Sequence, residues 1–282
     1  MSVGLHIRHG SPWWESPDIW VVPGQDPNGS PGQPVAGQRA YLWARVWADQ
    51  AVSGVQVDFW VTDPSMQIRK STATHIGSAY ADIPAGGSRE VLCLTPWNVT
   101  LINGGHECIV VEASSSADPL DPTPADPDLL DASAYPQIAQ RNLSVLPVGA
   151  QMRREVLLTI GAGVRRAETV EVTLEPGDEL PRHALATLGV RADCCTTEKI
   201  RATLTEKSMC GAADQEHLGD GQDEPIRLTV APGTAKPVYV NVATTDALTD
   251  GEYGLVRIVE RAGDRVVGGV TLVVVGADDS EE

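Results

Sequence analysis

The sequence predicts an all-β protein built as two β-sandwiches in tandem, and three observations predict it. Short runs of alternating apolar and polar residues recur along the chain, the period-two signature of strands half buried in a sheet. Gly (27) and Pro (20) gather between those runs, where tight turns need them. Periodic helical segments are hard to find, and 282 residues with 42% apolar side chains suffice for two cores while exceeding one small domain.

Taken in order, the alternation places strands at 18–22, 40–48, 55–61, 75–81, 89–95, 107–113 and 140–146 in the first half. In the second it places them at 155–160, 168–174, 187–192, 199–204, 226–230, 237–242, 253–260 and 265–275. Seven to eight short strands per half, with turn signals between them, is the spacing of an immunoglobulin-like sandwich. All seven Trp lie in the first hundred residues, and the acidic, proline-broken stretch SADPLDPTPADPDLLDASAYP closes the first half. The expected division is an N-terminal extension over 1–16, a sandwich over 17–148, a second over 149–276, and an acidic tail over 277–282 that frays.

One unit recurs in both halves. PAGGSREVLCLTPWNVTLINGGHECIVVE in the first parallels APGTAKPVYVNVATTDALTDGEYGLVRIVE in the second, each running glycine, strand, loop, glycine turn and a strand ending in Glu. His106 then falls opposite Glu252, and Cys108 opposite Gly254. A hairpin that forms without either residue in one copy does not need them in the other. The glycine pair before His106 therefore reads as a turn ahead of a strand.

A formal charge of −17 repels phosphate backbones, which removes nucleic acid and anionic membranes as expected partners. The start, MSVGLHIRHGSPWWESPDIW, has no apolar signal core, and no run is long enough to cross a bilayer. A cytoplasmic or particle-associated protein without membrane insertion is expected. Five cysteines, including the adjacent Cys194 and Cys195, do not make a disulfide framework.

The most suggestive candidate site is a sheet face. Along 40–48, Leu42, Ala44 and Val46 point one way, and Tyr41, Trp43, Arg45 and Trp47 the other. Along 55–61 the apolar side is Val55, Val57, Phe59 and Val61, leaving Gln56, Asp58 and Trp60 opposite. If the two strands are neighbours, an aromatic platform with Arg45 and Asp58 forms on the outer face. Such a surface suits a protein interface or stacking against sugar rings, or is covered within the chain by SPWWESPDIW or the second domain.

Asp118, Asp121, Asp126, Asp128 and Asp131 supply oxygens of the kind Ca²⁺ takes, but prolines interrupt the spacing and no compact calcium loop is matched. A solvated linker is expected there. Cys194, Cys195, Cys210, His183 and His217 lack the C-x₂₋₄-C pairing of zinc sites and read as packed thiols and scattered imidazoles. A cross-strand link between Cys93 and Cys108 is conceivable if their strands pair. There is no G-x-S-x-G, H-E-x-x-H or G-x-x-x-x-G-K, so no enzyme activity and no cofactor are expected.

The runs GQRAYLWARV, VQVDFWVTDPS, IGSAYADIPAGGS, LTPW, GGHECIVVEA and IAQRN resemble bacterial cell-adhesion-related domains of the CARDB type, over residues 17–146. That resemblance implies an immunoglobulin-like module of the sort repeated or appended in bacterial surface and secreted proteins, acting as a spacer or binding module. The second half resembles only a generic immunoglobulin-like domain. The expected function is a non-enzymatic docking subunit of a larger bacterial or phage-related assembly, meeting protein partners through the aromatic face. A carbohydrate-binding or adhesion module, and an accessory domain of an enzyme, are the alternatives.

Overall fold

Strand β2 (Arg39–Ala48) shows how the alternation builds the sheets. Ala40, Leu42, Ala44, Val46 and Ala48 are buried, while Tyr41, Trp43, Arg45 and Trp47 between them are part-exposed. The computed structural model describes residues 3–62, 68–100, 107–120, 128–149, 152–161, 167–208 and 224–277. Strand makes up 55% and helix 4%, so the protein is all-β. The chain forms two compact units: the first takes the described residues up to Asn142 together with His183–Val190, the second Leu143–Arg182 and those from Arg191 on.

The first unit contains β1 (Ile19–Pro23), β2, β3 (Val52–Thr62), β4 (Thr74–Ile83), β5 (Gly87–Leu92), β6 (Trp97–Asn98), β7 (Cys108–Ser114) and β8 (Ile138–Arg141). One sheet has the order β1-β2-β5, with β6 also on β2, and the other β4-β3-β7-β8. Between them the inward residues of β2, β3 and β7 share one core, with Leu42, Val57, Phe59 and Val111 fully buried. The N-terminal segment is part of this sandwich and not an extension. His6 pairs with Trp47 beside β2, and Val3, Leu5 and Ile7 enter the core.

The second unit contains β9 (Leu143–Val148), β10 (Arg153–Gly161), β11 (Glu168–Pro176), β12 (Cys194–Cys195), β13 (Ile200–Thr205), β14 (Ile226–Val230), β15 (Ala235–Thr244), β16 (Glu252–Ala262) and β17 (Arg265–Gly276). Its sheets run β14-β11-β16-β17-β9, with β12 on β16, and β10-β15-β13, around a core of Val, Leu and Ile. The two units share a connection pattern. The order β4-β3-β7-β8 recurs as β14-β11-β16-β17, and the pair β2-β5 as β10-β15, which is the strand pairing of an immunoglobulin-like sandwich.

Three expectations need correction. The repeated unit is not a hairpin, because β5 and β7, like β15 and β16, lie in opposite sheets. For the same reason Cys93 and Cys108 do not sit on paired strands; both are free thiols, one in the first core and the other in a separate cluster. Second, the expected strand at 140–146 is two strands in two units. The Asn142 N–H bonds the Trp14 carbonyl, and the chain leaves β8 there to begin β9, so the boundary falls at Asn142 and Leu143. Third, the expected strand at 187–192 does not form. Residues Arg182–Thr187 form a helix, α1, which ends with Gly189 at φ +74°. Val190 N–H bonds Leu185 O and Gly189 N–H bonds Ala186 O, the paired bonds of a Schellman stop.

Between β11 and β14 the chain runs through α1, β12 and β13, whereas no element lies between β3 and β4 among the described residues. Of this stretch, His183–Val190 belongs to the first unit, and β12 and β13 to the second. Residues 278–282, most of the expected tail, lie outside the described residues.

Candidate functional site: a tryptophan-walled cleft in the first unit

The outer face of the β1-β2-β5 sheet is built by cross-strand pairing. Trp20 on β1 stands opposite Trp43 on β2, and their rings stack with centroids 5.9 Å apart and planes 8° from parallel. Trp43 Nε1 donates to the Pro27 carbonyl at 3.0 Å, which fixes the ring. The Arg45 guanidinium lies over the Trp20 ring at 5.8 Å and donates to Glu90 at 2.6 Å. Beside this pair opens a cleft of about 410 Å³. Its apolar wall is Trp20, Trp43 and Val22, with Pro27 and Pro31 of the β1–β2 loop. Arg45, Glu90 and Asn28 contribute polar groups, and His183 and Thr187 of α1 also line it.

Buried contacts hold α1 in place. Arg141, shielded from water, donates to Ile19 O at 2.6 Å and to Thr187 O at 3.1 Å; burial pulls its pKa down to about 10. Gln33 Nε2 donates to Leu188 O at 3.1 Å. A Cβ at Gly189 would lie 3.1 Å from the Gly32 Cα, a tight approach at a φ of +74° that favours glycine.

The six residues expected to make one platform are not on one face. β2 and β3 are not neighbours, because sequence alternation fixes which way a side chain points but not which strands pair. Tyr41, Trp43, Arg45 and Trp47 stand on the outer face of one sheet, and Asp58 and Trp60 on that of the other. Of the first group, Trp47 is already capped: His6 stacks on it, Arg8 lies 4.6 Å over its ring, and its Nε1 donates to Asp18 at 2.8 Å. Asp18, fully buried, also accepts from Arg8 Nε and Nη2 at 2.8 and 2.7 Å, and this bond holds the Arg8 pKa above its ordinary value.

On the other sheet Trp60 joins a cluster with Trp13, Ile68, Leu130 and Tyr135 that covers part of that face. Its Nε1 is buried with no hydrogen-bond partner among the described residues. Asp58 meets His75 Nε2 at 3.2 Å and accepts from the Ser78 hydroxyl. These are the residue types of a hydrolytic triad in the wrong arrangement. Ser78 spends its proton on Asp58, and both reach the same Nε2 of His75, so the imidazole cannot relay a proton between them.

The aspartates of the expected calcium candidate are dispersed. Asp118 accepts from Leu5 N–H at 2.9 Å, and Asp131 closes a turn onto Ser133. Asp128 accepts from the Ser71 hydroxyl and N–H and from Arg69, which holds its pKa below the usual carboxylate range. Asp121 and Asp126 lie outside the described residues. No cluster of three potential metal ligands occurs among the described residues. His183 is in the first unit while Cys194 and Cys195 are in the second, and His106, Cys210 and His217 lie outside the described residues.

Sequence reasoning did not single out Trp20, Glu90, Asn28 or His183 for this site. Trp20 carried a usable signal, alternating with Ile19 and Val21 on a short strand. So did α1, with Pro181 just before its start and Gly189 just past its end. Nothing in the sequence joins His183 to Trp43, which lies 140 positions earlier (183 − 43).

No helix among the described residues is long and apolar enough to cross a membrane. No protein-family model and no curated protein sequence matches the chain. Among solved structures it is similar to the CupB6 tip adhesin from Pseudomonas aeruginosa, at 10% identity and a TM-score of 0.24, over 91% of this chain and 98% of that one. It is also similar to E. coli α2-macroglobulin, at 10% identity and 0.21, over 94% of this chain and 16% of that one. A third is the Amycolatopsis orientalis exo-chitosanase CsxA, at 13% identity and 0.19, over 83% and 25%. These scores are too low for any of the three to bear on the site.

Proposed function

We propose that the chain is a non-enzymatic binding module whose first unit takes its ligand in the Trp20–Trp43 cleft. The observation that carries this reading is the cleft itself: a fixed aromatic wall with Arg45, Glu90 and His183 converging on one concavity of about 410 Å³. That volume lies within the roughly 300–1,000 Å³ of small-molecule sites. A protein interface needs a far broader face, about 800 Å² per partner, and the division of the six residues between two sheets removes the continuous platform that would have supplied it. The reading is therefore a small ligand, or a unit or two of a polymer. A place in a larger bacterial or phage-related assembly, with the cleft as the ligand-holding point, belongs to the same proposal, as does the CARDB-like character of the first unit.

A fragment screen by saturation-transfer NMR tests this. Fragments that receive transfer from the full chain should compete with one another and lose their signal with Trp43→Ala, a variant whose circular dichroism should match the parent. Fragments bound equally well by Trp43→Ala would contradict the assignment.

A further inference from the structure

We infer that the cleft selects a neutral, polyhydroxylated ring, that is, one saccharide unit; this rests on the cleft being the binding site. Three features of the cleft support that class of ligand. First, its wall is apolar and rigid. The Trp43 indole N–H is committed to Pro27 O, so the indole offers carbon surface and no donor. The C–H face of a pyranose is the complement of such a wall.

Second, the rim carries one cation and one anion already paired to each other, Arg45 and Glu90, and Arg45 also lies 3.6 Å from the buried Asp18 carboxylate. A charged ligand would gain from one and lose to the other, so the rim confers no preference for either sign. An apolar ligand would strip water from both and return no hydrogen bonds, which is costly for charged groups. A hydroxyl donates and accepts at once, so it can join the pair without breaking it. Asn28 and His183 add side chains that both donate and accept, and neither makes a side-chain hydrogen bond to another described residue.

Third, the competing occupant, an extended peptide, lacks the backbone edge it would use. Strand addition needs unpaired N–H and C=O groups. At the cleft the β1 edge is met by its own loop, where the Gly32 N–H bonds the Val21 carbonyl at 3.0 Å.

The test is a tryptophan-emission titration of the full chain with a panel of neutral disaccharides (maltose, cellobiose, lactose and chitobiose). A disaccharide of uronic acids and a proline-rich peptide serve as comparisons. At least one neutral sugar should give a saturable change, abolished by Trp43→Ala and weakened about tenfold by Glu90→Gln, the loss of one charge-assisted hydrogen bond. Glu90 is exposed, so that variant keeps its fold. Saturable binding of the peptide or the uronic disaccharide, lost in Trp43→Ala and with no neutral sugar bound, would overturn the saccharide inference and leave the cleft as the binding site. Neutral-sugar binding unchanged in both variants would overturn it too, and the cleft reading with it, as would no response to any probe together with fragment hits that survive Trp43→Ala.

Discussion

Glu260 is the residue on which the environment acts hardest. It lies on β16 between Val172 and Gly268 in register, 2% exposed, and its Oε2 has no hydrogen-bond partner among the described residues. Burial raises its pKa from 4.5 to about 8. With the folded value above the unfolded one, the folded state holds the proton more tightly. Stability from this group is therefore full below about pH 4.5, falls as pH rises and levels off above about 8. Glu260→Gln should remove that slope. Urea unfolding should find the two proteins alike near the acid end and the variant more stable by roughly 3–5 kcal/mol above pH 8. Parallel pH profiles would show that Glu260 is ionised in the fold.

Among the elements, the N-terminal segment and α1 carry the least expected roles. Leu5 and Ile7 are each 1% exposed in the first core. Either residue changed to Ala should cost about 3 kcal/mol, read from the denaturant midpoint; a change under about 0.5 kcal/mol would mean that the segment is merely draped on the sheet. For α1 the sensitive point is its stop. Gly189→Val sets a branched side chain at φ +74° against Gly32, so exchange of the amides over 183–190 should quicken while β2 and β3 stay protected. Unchanged protection of that segment would contradict its anchored position.

These elements also show what could be read from the sequence. β2, β3 and β11 were legible because alternation and burial are the same fact along a strand. The break at Asn142 was not, since apolar positions continue through it while the pairing partner changes from β7 to β17. Nor was α1. Leu188 and Val190 mimic a strand's alternation, and the Gly189 between them had to be read as a helix stop. The aromatic residues of the candidate site were legible one strand at a time, but their assembly was not: which strands share a sheet is settled by packing.

At the scale of the molecule, the four-strand order β4-β3-β7-β8 recurs as β14-β11-β16-β17, and the first unit's cleft is lined by its own strands, its β1–β2 loop and α1 residues that belong to that unit. The net charge of −17 belongs to the whole chain, whereas at the cleft rim Arg45 and Glu90 pair with each other. Binding there should change little between about 50 and 500 mM salt, because a neutral ligand has no long-range field to screen.

The most direct measurement places the ligand. With 5-fluorotryptophan in all seven Trp positions, each ring gives a ¹⁹F resonance that a single Trp→Phe substitution assigns. Saturation with a ligand that binds the full chain should move the Trp20 and Trp43 signals and leave those of Trp14 and Trp97, 2% and 4% exposed, in place. Movement at Trp60 with Trp20 and Trp43 unmoved would put the site on the opposite sheet and contradict the account.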